Sequence, residues 1–201
     1  MSKLVSIIIP CFNQEKFITD AIMSAENQTY KDIEIVFIDD CSTDSTMKVI
    51  EEVVGKKAKI LQTKKNSGTA AASRNIAIEN AQGEYLLFLD GDDELYSNET
   101  LKEIDEHIKE NKYDIIYFGY ENVGHTENYY RISNKENSTR EARLICDESF
   151  SVSSKVWNVE FLRNNTNATI SADTIDEFAY QPNCKKVFDN VDIAFIDKEY
   201  A

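Results

Sequence analysis

Residues Tyr85-Leu86-Leu87-Phe88-Leu89 form an uninterrupted apolar run that stops at Asp90-Gly91-Asp92-Asp93-Glu94. A run without alternation suits a strand buried on both faces, as in parallel sheets covered by helices. Carboxylates crowded at the end of such a strand repel one another and lose solvent. A divalent cation bound through oxygen ligands removes that cost. The stretch therefore predicts a cation site at the C-terminal edge of a parallel sheet.

The residues before and after it repeat the theme. Leu4–Ile9 is a β-branched run ended by Pro10, which is expected to stop a central ladder. Ile33–Ile38 ends at Asp39-Asp40, Lys59-Ile60-Leu61 is short, and Tyr113–Phe118 is the fifth run. Between them lie helical faces: Phe17, Ile18, Ala21, Ile22 and Ala25; Met47, Ile50, Val53 and Val54; a segment from about Thr69 to Ala81 stopped by Gly83; and Leu101, Ile104 and Ile108. Strands alternating with helices predict parallel βαβ units. From about Gly119 the pattern weakens. Residues 119–150 are polar, and 151–200 carry Trp157, Phe161, Leu162, Phe178, Phe188 and Phe195, enough apolar mass to pack on the sheet. One domain over 1–201 is expected.

The net charge of −14 argues against a nucleic-acid binder and against adsorption to an anionic membrane. An acidic ligand stays compatible if a metal inverts the local sign. No apolar stretch reaches spanning length. Cys11, Cys41, Cys146 and Cys184 lack CxxC spacing, and unreactive thiols in a reducing cytoplasm are the simplest reading.

Ligands of open α/β sheets bind outside the carboxyl ends of the strands. Three strand ends carry polar groups here: Pro10-Cys11-Phe12-Asn13, Asp39-Asp40 and Asp90-Gly91-Asp92-Asp93. One such end is often a solvated turn; three on one edge predict a crevice. In extended chain, residues i and i+2 point the same way, so Asp90 and Asp92 can address one cation, and Gly91 permits close backbone approach. An EF-hand loop counted from Asp90 fails, with Leu95 and Leu101 where Gly and Glu belong. No GxxxxGK[ST] and no GxGxxG occurs. Carboxylates plus Mg²⁺ point to a phosphate-bearing substrate. Phe12 is a base-stacking candidate against a core role, Asp40 a candidate acceptor for a base N–H, and Arg74 either a structural counter-ion to the acidic edge or a ligand contact.

These motifs as a set resemble family 2 glycosyltransferases: Val5-Ser6-Ile7-Ile8-Ile9-Pro10-Cys11-Phe12-Asn13, Gln28-Thr29-Tyr30, Ile38-Asp39-Asp40-Cys41-Ser42-Thr43-Asp44, Asn66-Ser67-Gly68, Ser73-Arg74-Asn75 and Gly83 through Asp93, in that order. The similarity covers residues 4–118. It implies a GT-A fold: a Rossmann-like, mostly parallel central sheet flanked by helices, with a mixed C-terminal region. It divides the domain into a nucleotide-sugar-binding half, 1–118, and an acceptor-side half, 119–201, continuing beyond the C-terminus in such enzymes.

The resemblance further implies a nucleotide-sugar donor, by family frequency a UDP-sugar, and inverting transfer of a hexosyl or N-acetylhexosaminyl group in polysaccharide biosynthesis. The acceptor would be a saccharide or lipid-linked saccharide. Carried over, Pro10, Phe12 and Asp40 hold the nucleobase and Asp39 supports that pocket. Asp90 with Gly91 lies at the ribose or metal, Asp92 ligates Mg²⁺ or Mn²⁺, and Arg74 braces the acidic loop or approaches the phosphates. In Thr174-Ile175-Asp176-Glu177-Phe178, Glu177 is the implied catalytic base with Asp176 beside it, and Asp173 is a third candidate. The expected location is cytoplasmic, with peripheral association at the inner membrane face through residues beyond Ala201. An inactive nucleotide-sugar-binding module remains open. So does a sugar-phosphate nucleotidyltransferase, which would need a Gly-rich, Arg-containing loop where Phe12-Asn13-Gln14-Glu15 stands.

Overall fold

A computed structural model describes residues 4–55, 59–110, 112–118, 155–164 and 193–196. Among them the five predicted strands and four predicted helices are present. β1 is Val5–Cys11, α1 Ile18–Glu26, β2 Ile33–Asp39, α2 Thr46–Val54, β3 Lys59–Gln62, α3 Ala70–Asn80, β4 Tyr85–Phe88, α4 Thr100–Glu110 and β5 Ile115–Phe118. The C-terminal part adds β6 (Lys155–Asn158), α5 (Val159–Asn164) and β7 (Ile193–Ile196). The seven strands form one sheet in the order β3-β2-β1-β4-β6-β5-β7. β6 runs antiparallel to both β4 and β5, and the other pairings are parallel. This is the mostly parallel GT-A sheet with a mixed C-terminal part.

Alternation along β1 sorts the two faces. Val5, Ile7, Ile9 and Cys11 share a core with Ile18, Ala21, Ile22 and Ala25 of α1 and Leu101, Ile104 and Ile108 of α4. Leu87 of β4 joins that core, so Phe88 lies on the opposite face, where α3 brings Arg74 over its ring. A fully buried Ile or Leu contributes roughly 1.5–3 kcal/mol by area removed from water. Phe17 and Val53, read as inward-facing, are 55% and 38% exposed. Phe17 is the N-cap of α1, just outside the helical register that buries Ile18.

Pro10 does not end β1; it pairs with Ile38, and the strand continues to Cys11. The reason is which side the missing N–H faces. Ile8 O accepts from Leu89 N, whereas Cys11 O accepts from Asp40 N. In a parallel ladder alternate residues bond to opposite neighbours. Position 10 therefore faces the β4 side, where pairing has already ended at Ile8 with Phe88. Gly83 is likewise not the stop of α3, whose C-cap is Ala81. A Cβ on Gly83 would lie 2.6 Å from Ser6 Oγ and 2.7 Å from Leu4 O, so this glycine is fixed by close approach to β1. The last carbonyls of α3 are satisfied from α5: Arg163 donates to Ile78 O at 3.0 Å and Ala81 O at 2.7 Å.

Gln28, with 0% exposure, ties the exit of the acidic turn to α1. Its Nε2 donates to Ser24 O and Ser97 O, and its Oε1 accepts from Leu101 N in the first turn of α4. Leu95 N donates to Ser24 Oγ beside it.

Candidate functional site

The C-terminal ends of β1, β2 and β4 open into one cleft of about 340 Å³. Its walls include Pro10, Phe12, Gln14 and Asp40 from the first two strand ends, Asn66, Gly68, Ser73 and Arg74 from α3 and the loop before it, and Asp90, Gly91 and Asp92. Phe12 is 42% exposed, so it is not spent on the core. Of the predicted ligand-side residues, only Asp39 is absent from the walls.

The first two strand ends are laced together. Each turns through a left-handed residue, Asn13 at φ 54° and Cys41 at φ 62°. Asn13 N donates to Ser42 Oγ at 3.0 Å, and Asn13 Oδ1 accepts from Thr43 N at 2.8 Å. Glu15 N donates to Asp44 Oδ2, Ser45 N donates to Glu15 Oε2, and Gln14 N donates to Thr46 Oγ1 at 2.7 Å. Two loops that bond each other this closely hold the Phe12 wall on the sheet rather than leaving it as a free turn.

Asp39 and Asp40 have separate tasks. Asp39 is fully buried and accepts from Ser42 N and from Gln62 Nε2, which joins the loop after β2 to β3. Asp40 accepts from Thr63 Oγ1 at 2.6 Å, Ser67 N at 2.9 Å and Ser67 Oγ at 2.8 Å. Burial pushes the Asp40 carboxyl up, but these donors outweigh it and hold it below the ordinary carboxylate value. Ionised Asp40 thus pins the loop before α3 as a cleft wall. The contribution of Thr63 was not legible in the sequence. Ser67 stands in the motif Asn66-Ser67-Gly68, but nothing local in that motif links it to Asp40, 27 positions away. Cys11 is buried, and burial, then the charges of Asp39 and Asp44, push its thiol up to about 12. Cys11 and Cys41 are both free thiols.

On the other wall Arg74 Nη2 donates to Asp90 Oδ1 at 2.9 Å. Residues 90–93 form a turn closed by Asp93 N donating to Asp90 O, not extended chain. The turn, rather than strand alternation, places both Asp90 and Asp92 on the cleft. Gly91 has no positive φ; its need is space, since a Cβ there would lie 3.0 Å from Gln14 Oε1 and 3.1 Å from Ile18 Cδ1. Among the described residues no three acidic, His or Cys side chains cluster tightly enough to hold a metal ion. Two cleft-facing carboxylates without a protein cage suit Mg²⁺ or Mn²⁺ completed by substrate phosphates. His107 is half-buried on α4. Asp173, Asp176, Glu177 and His125 lie outside the described residues. No helix among the described residues is long and apolar enough to cross a membrane.

The fold and cleft have relatives. The chain is 32% identical over 166 residues to the poly(ribitol-phosphate) β-N-acetylglucosaminyltransferase TarS of Staphylococcus aureus (strain Mu50 / ATCC 700699), covering 80% of this chain and 28% of that protein. It is 39% identical over 115 residues to a poly(ribitol-phosphate) β-glucosyltransferase of Bacillus spizizenii, covering 55% of this chain and 18% of the relative. The crystal structure of S. aureus TarS 1–349 in complex with UDP-GlcNAc superposes with a TM-score of 0.79 at 28% identity, over 98% of this chain and 56% of that one. The chain therefore spans well under two thirds of these relatives. Residues 6–171 match the family described as Glycosyl transferase family 2. With the strand-end motifs converging on one cleft of a GT-A sheet, the chain belongs to glycosyl transferase family 2.

Proposed function

We propose that residues 1–201 are one GT-A domain that transfers a hexosyl or N-acetylhexosaminyl group from a UDP-sugar to a saccharide hydroxyl with inversion. The observation that carries this is the joining of an exposed aromatic wall at Phe12 and an acidic turn at Asp90–Asp92 across a single cleft. The UDP-GlcNAc complex of the relative supports a uridine donor.

In this reading Pro10 and Phe12 face the nucleobase. Asp39 and Asp40 hold the surrounding loops, and Asp40 accepts from the base where ligand displaces one of its present donors. Asp90 and Asp92 hold Mg²⁺ or Mn²⁺, which when bound supplies positive charge to the diphosphate. Arg74 fixes the Asp90 carboxylate toward it. A carboxylate, Glu177 with Asp176 beside it, takes the acceptor hydroxyl proton. The acceptor oxygen then bonds the anomeric carbon as the bond to the diphosphate oxygen breaks, and UDP leaves with its electron pair. Free thiols at Cys11 and Cys41 favour a cytoplasmic setting.

Calorimetry with UDP and Mn²⁺, followed by release of UDP from UDP-GlcNAc and UDP-glucose in the presence of saccharide acceptors, tests the reading. Binding plus turnover is expected. Absence of UDP binding overturns it. Binding without turnover from any donor replaces it with a nucleotide-sugar-binding module.

A further inference from the structure

Gln14 stands between the two halves of the cleft, and neither the donor motifs nor the proposed mechanism uses it. Its main chain is fixed: Gln14 N donates to Thr46 Oγ1 at 2.7 Å, and Gln14 O accepts from Phe17 N and Ile18 N, both at 3.0 Å. Its side chain lies along the acidic turn, with Oε1 3.0 Å and Cδ 3.2 Å from the position a Cβ would take on Gly91. Gln14 lines the cleft, yet Oε1 is buried and has no hydrogen-bond partner among the described residues. A buried amide oxygen left unpaired is destabilising, and native structures rarely tolerate one without a reason. These anchors fix the Gln14 main chain at the cleft, and rotation about the side-chain torsions carries the amide from the turn to the cleft. The orphan acceptor sits two residues after Phe12 and directly against the glycine between Asp90 and Asp92.

We infer that Gln14 is a donor-binding residue whose amide, turning from the acidic turn into the cleft, presents its oxygen to accept an O–H carried in by the nucleotide–cation complex. The inference rests on the nucleotide-sugar reading above. Two sources bring that chemistry: a ribose hydroxyl, or a water on the divalent cation. Either would complete the hydrogen bonding of a group that the described residues leave unpaired. The acidic wall is otherwise built of groups that accept or are already bonded, so Gln14 adds a neutral acceptor without adding negative charge.

The test is titration of the full chain with UDP, with and without Mn²⁺, in wild type, Gln14→Met and Gln14→Glu, alongside the thermal midpoint of each without ligand. Gln14→Met keeps length and removes the acceptor. It is expected to lose about 3- to 10-fold in affinity, the effect of one hydrogen bond, while its ligand-free midpoint stays level or rises. Gln14→Glu, which keeps an acceptor oxygen, is expected to recover affinity in Mn²⁺. A loss seen only with Mn²⁺ assigns the cation-bound water. A loss also seen in EDTA, and absent with 2′-deoxy-UDP, assigns the ribose. Unchanged UDP affinity of Gln14→Met in both conditions overturns the inference, as does a ligand-free midpoint that falls by several degrees, which would make Gln14 a packing residue. Failure of wild type itself to bind UDP counts instead against the nucleotide-sugar reading.

Discussion

Arg74 Nη2 lies 2.9 Å from Asp90 Oδ1, and the guanidinium carbon sits 5.8 Å from the centre of the Phe88 ring. The arginine is buried on α3 and the aspartate is partly exposed at the end of β4. The pair spans the two elements that close the cleft from behind. One carboxylate oxygen is thereby oriented by a planar guanidinium whose donors are set in a rigid fork. This unites the two roles left open for Arg74: as a counter-ion it also fixes a cleft residue.

Arg74→Met should therefore cost both stability and ligand affinity. Removing one partner of a buried pair costs about 3–5 kcal/mol, and exposure of Asp90 puts this case near the low end. Urea denaturation should show the loss. Arg74→Lys should recover only part of it, because an ammonium lacks the planar fork. Stability equal to wild type in Arg74→Met would mean the pair is solvated and idle.

Much of this is legible in the sequence because it rests on periodicity and on strand ends. The largely apolar runs at 5–9, 33–38 and 85–89 are strands, buried along β1 and β4 and from Val36 onward in β2, and their polar termini meet in one cleft. What was not legible depends on three-dimensional approach. A glycine just past a helical face reads as a helix end, whereas Gly83 is required by its close approach to Ser6, 77 positions away. The sequence assigns Pro10 to a strand end, without sight of which neighbour that position faces. It assigns Asp40 to a base without Thr63 and Ser67, which reach its carboxylate from another loop. The Asp-Gly-Asp spacing suits extended chain, yet the cleft geometry comes from a turn closed by Asp93 N donating to Asp90 O. Residues 173–177 lie beyond the described part of the fold, so the base stays a matter for mutation.

Gly83→Ala should be strongly destabilising. The added methyl meets Ser6 N and Leu4 O at 2.7 Å; Ser6 is main chain of the central strand β1 and Leu4 is the residue that leads into it, so neither can step aside. Overpacking of this kind costs about 1–3 kcal/mol or more. Gly68→Ala should cost less; its φ is +73°, but nothing lies within 4 Å of an added Cβ. Thermal midpoints that rank the two variants in the reverse order would refute this account of Gly83.

Acid should loosen the cleft wall through Asp40. Its carboxyl is depressed in the folded protein, because donors from Thr63 and Ser67 outweigh the upward push of burial. The unfolded chain, with an ordinary aspartate near about 3.9, takes up the proton first as pH falls. The stabilisation is thus complete above that value and lost as pH drops through the lower folded value. Glu34 behaves in the same sense: burial opposes, but Ser6, Gln82 and Lys59 hold it low. Stability should be flat from pH 7 to about 5 and fall below about 4. Asp40→Asn should start lower and lose less on acidification. A parallel pH profile in the two proteins would exclude Asp40 as a source of the acid sensitivity.

Asp92→Asn isolates the cation from the fold. Asp92 is exposed on the cleft, so replacing its charge should leave the urea midpoint within about 0.5 kcal/mol of wild type, as for surface substitutions. Asp90→Asn, by contrast, also weakens the contact with Arg74 and should lower stability. Both should reduce Mn²⁺-dependent UDP affinity, and Asp92→Asn should leave UDP affinity in EDTA unchanged. Calorimetry in Mn²⁺ and in EDTA resolves the two effects. If Asp92→Asn binds UDP in Mn²⁺ as tightly as wild type, the turn at 90–93 is a solvated strand end and the acidic wall serves the fold alone.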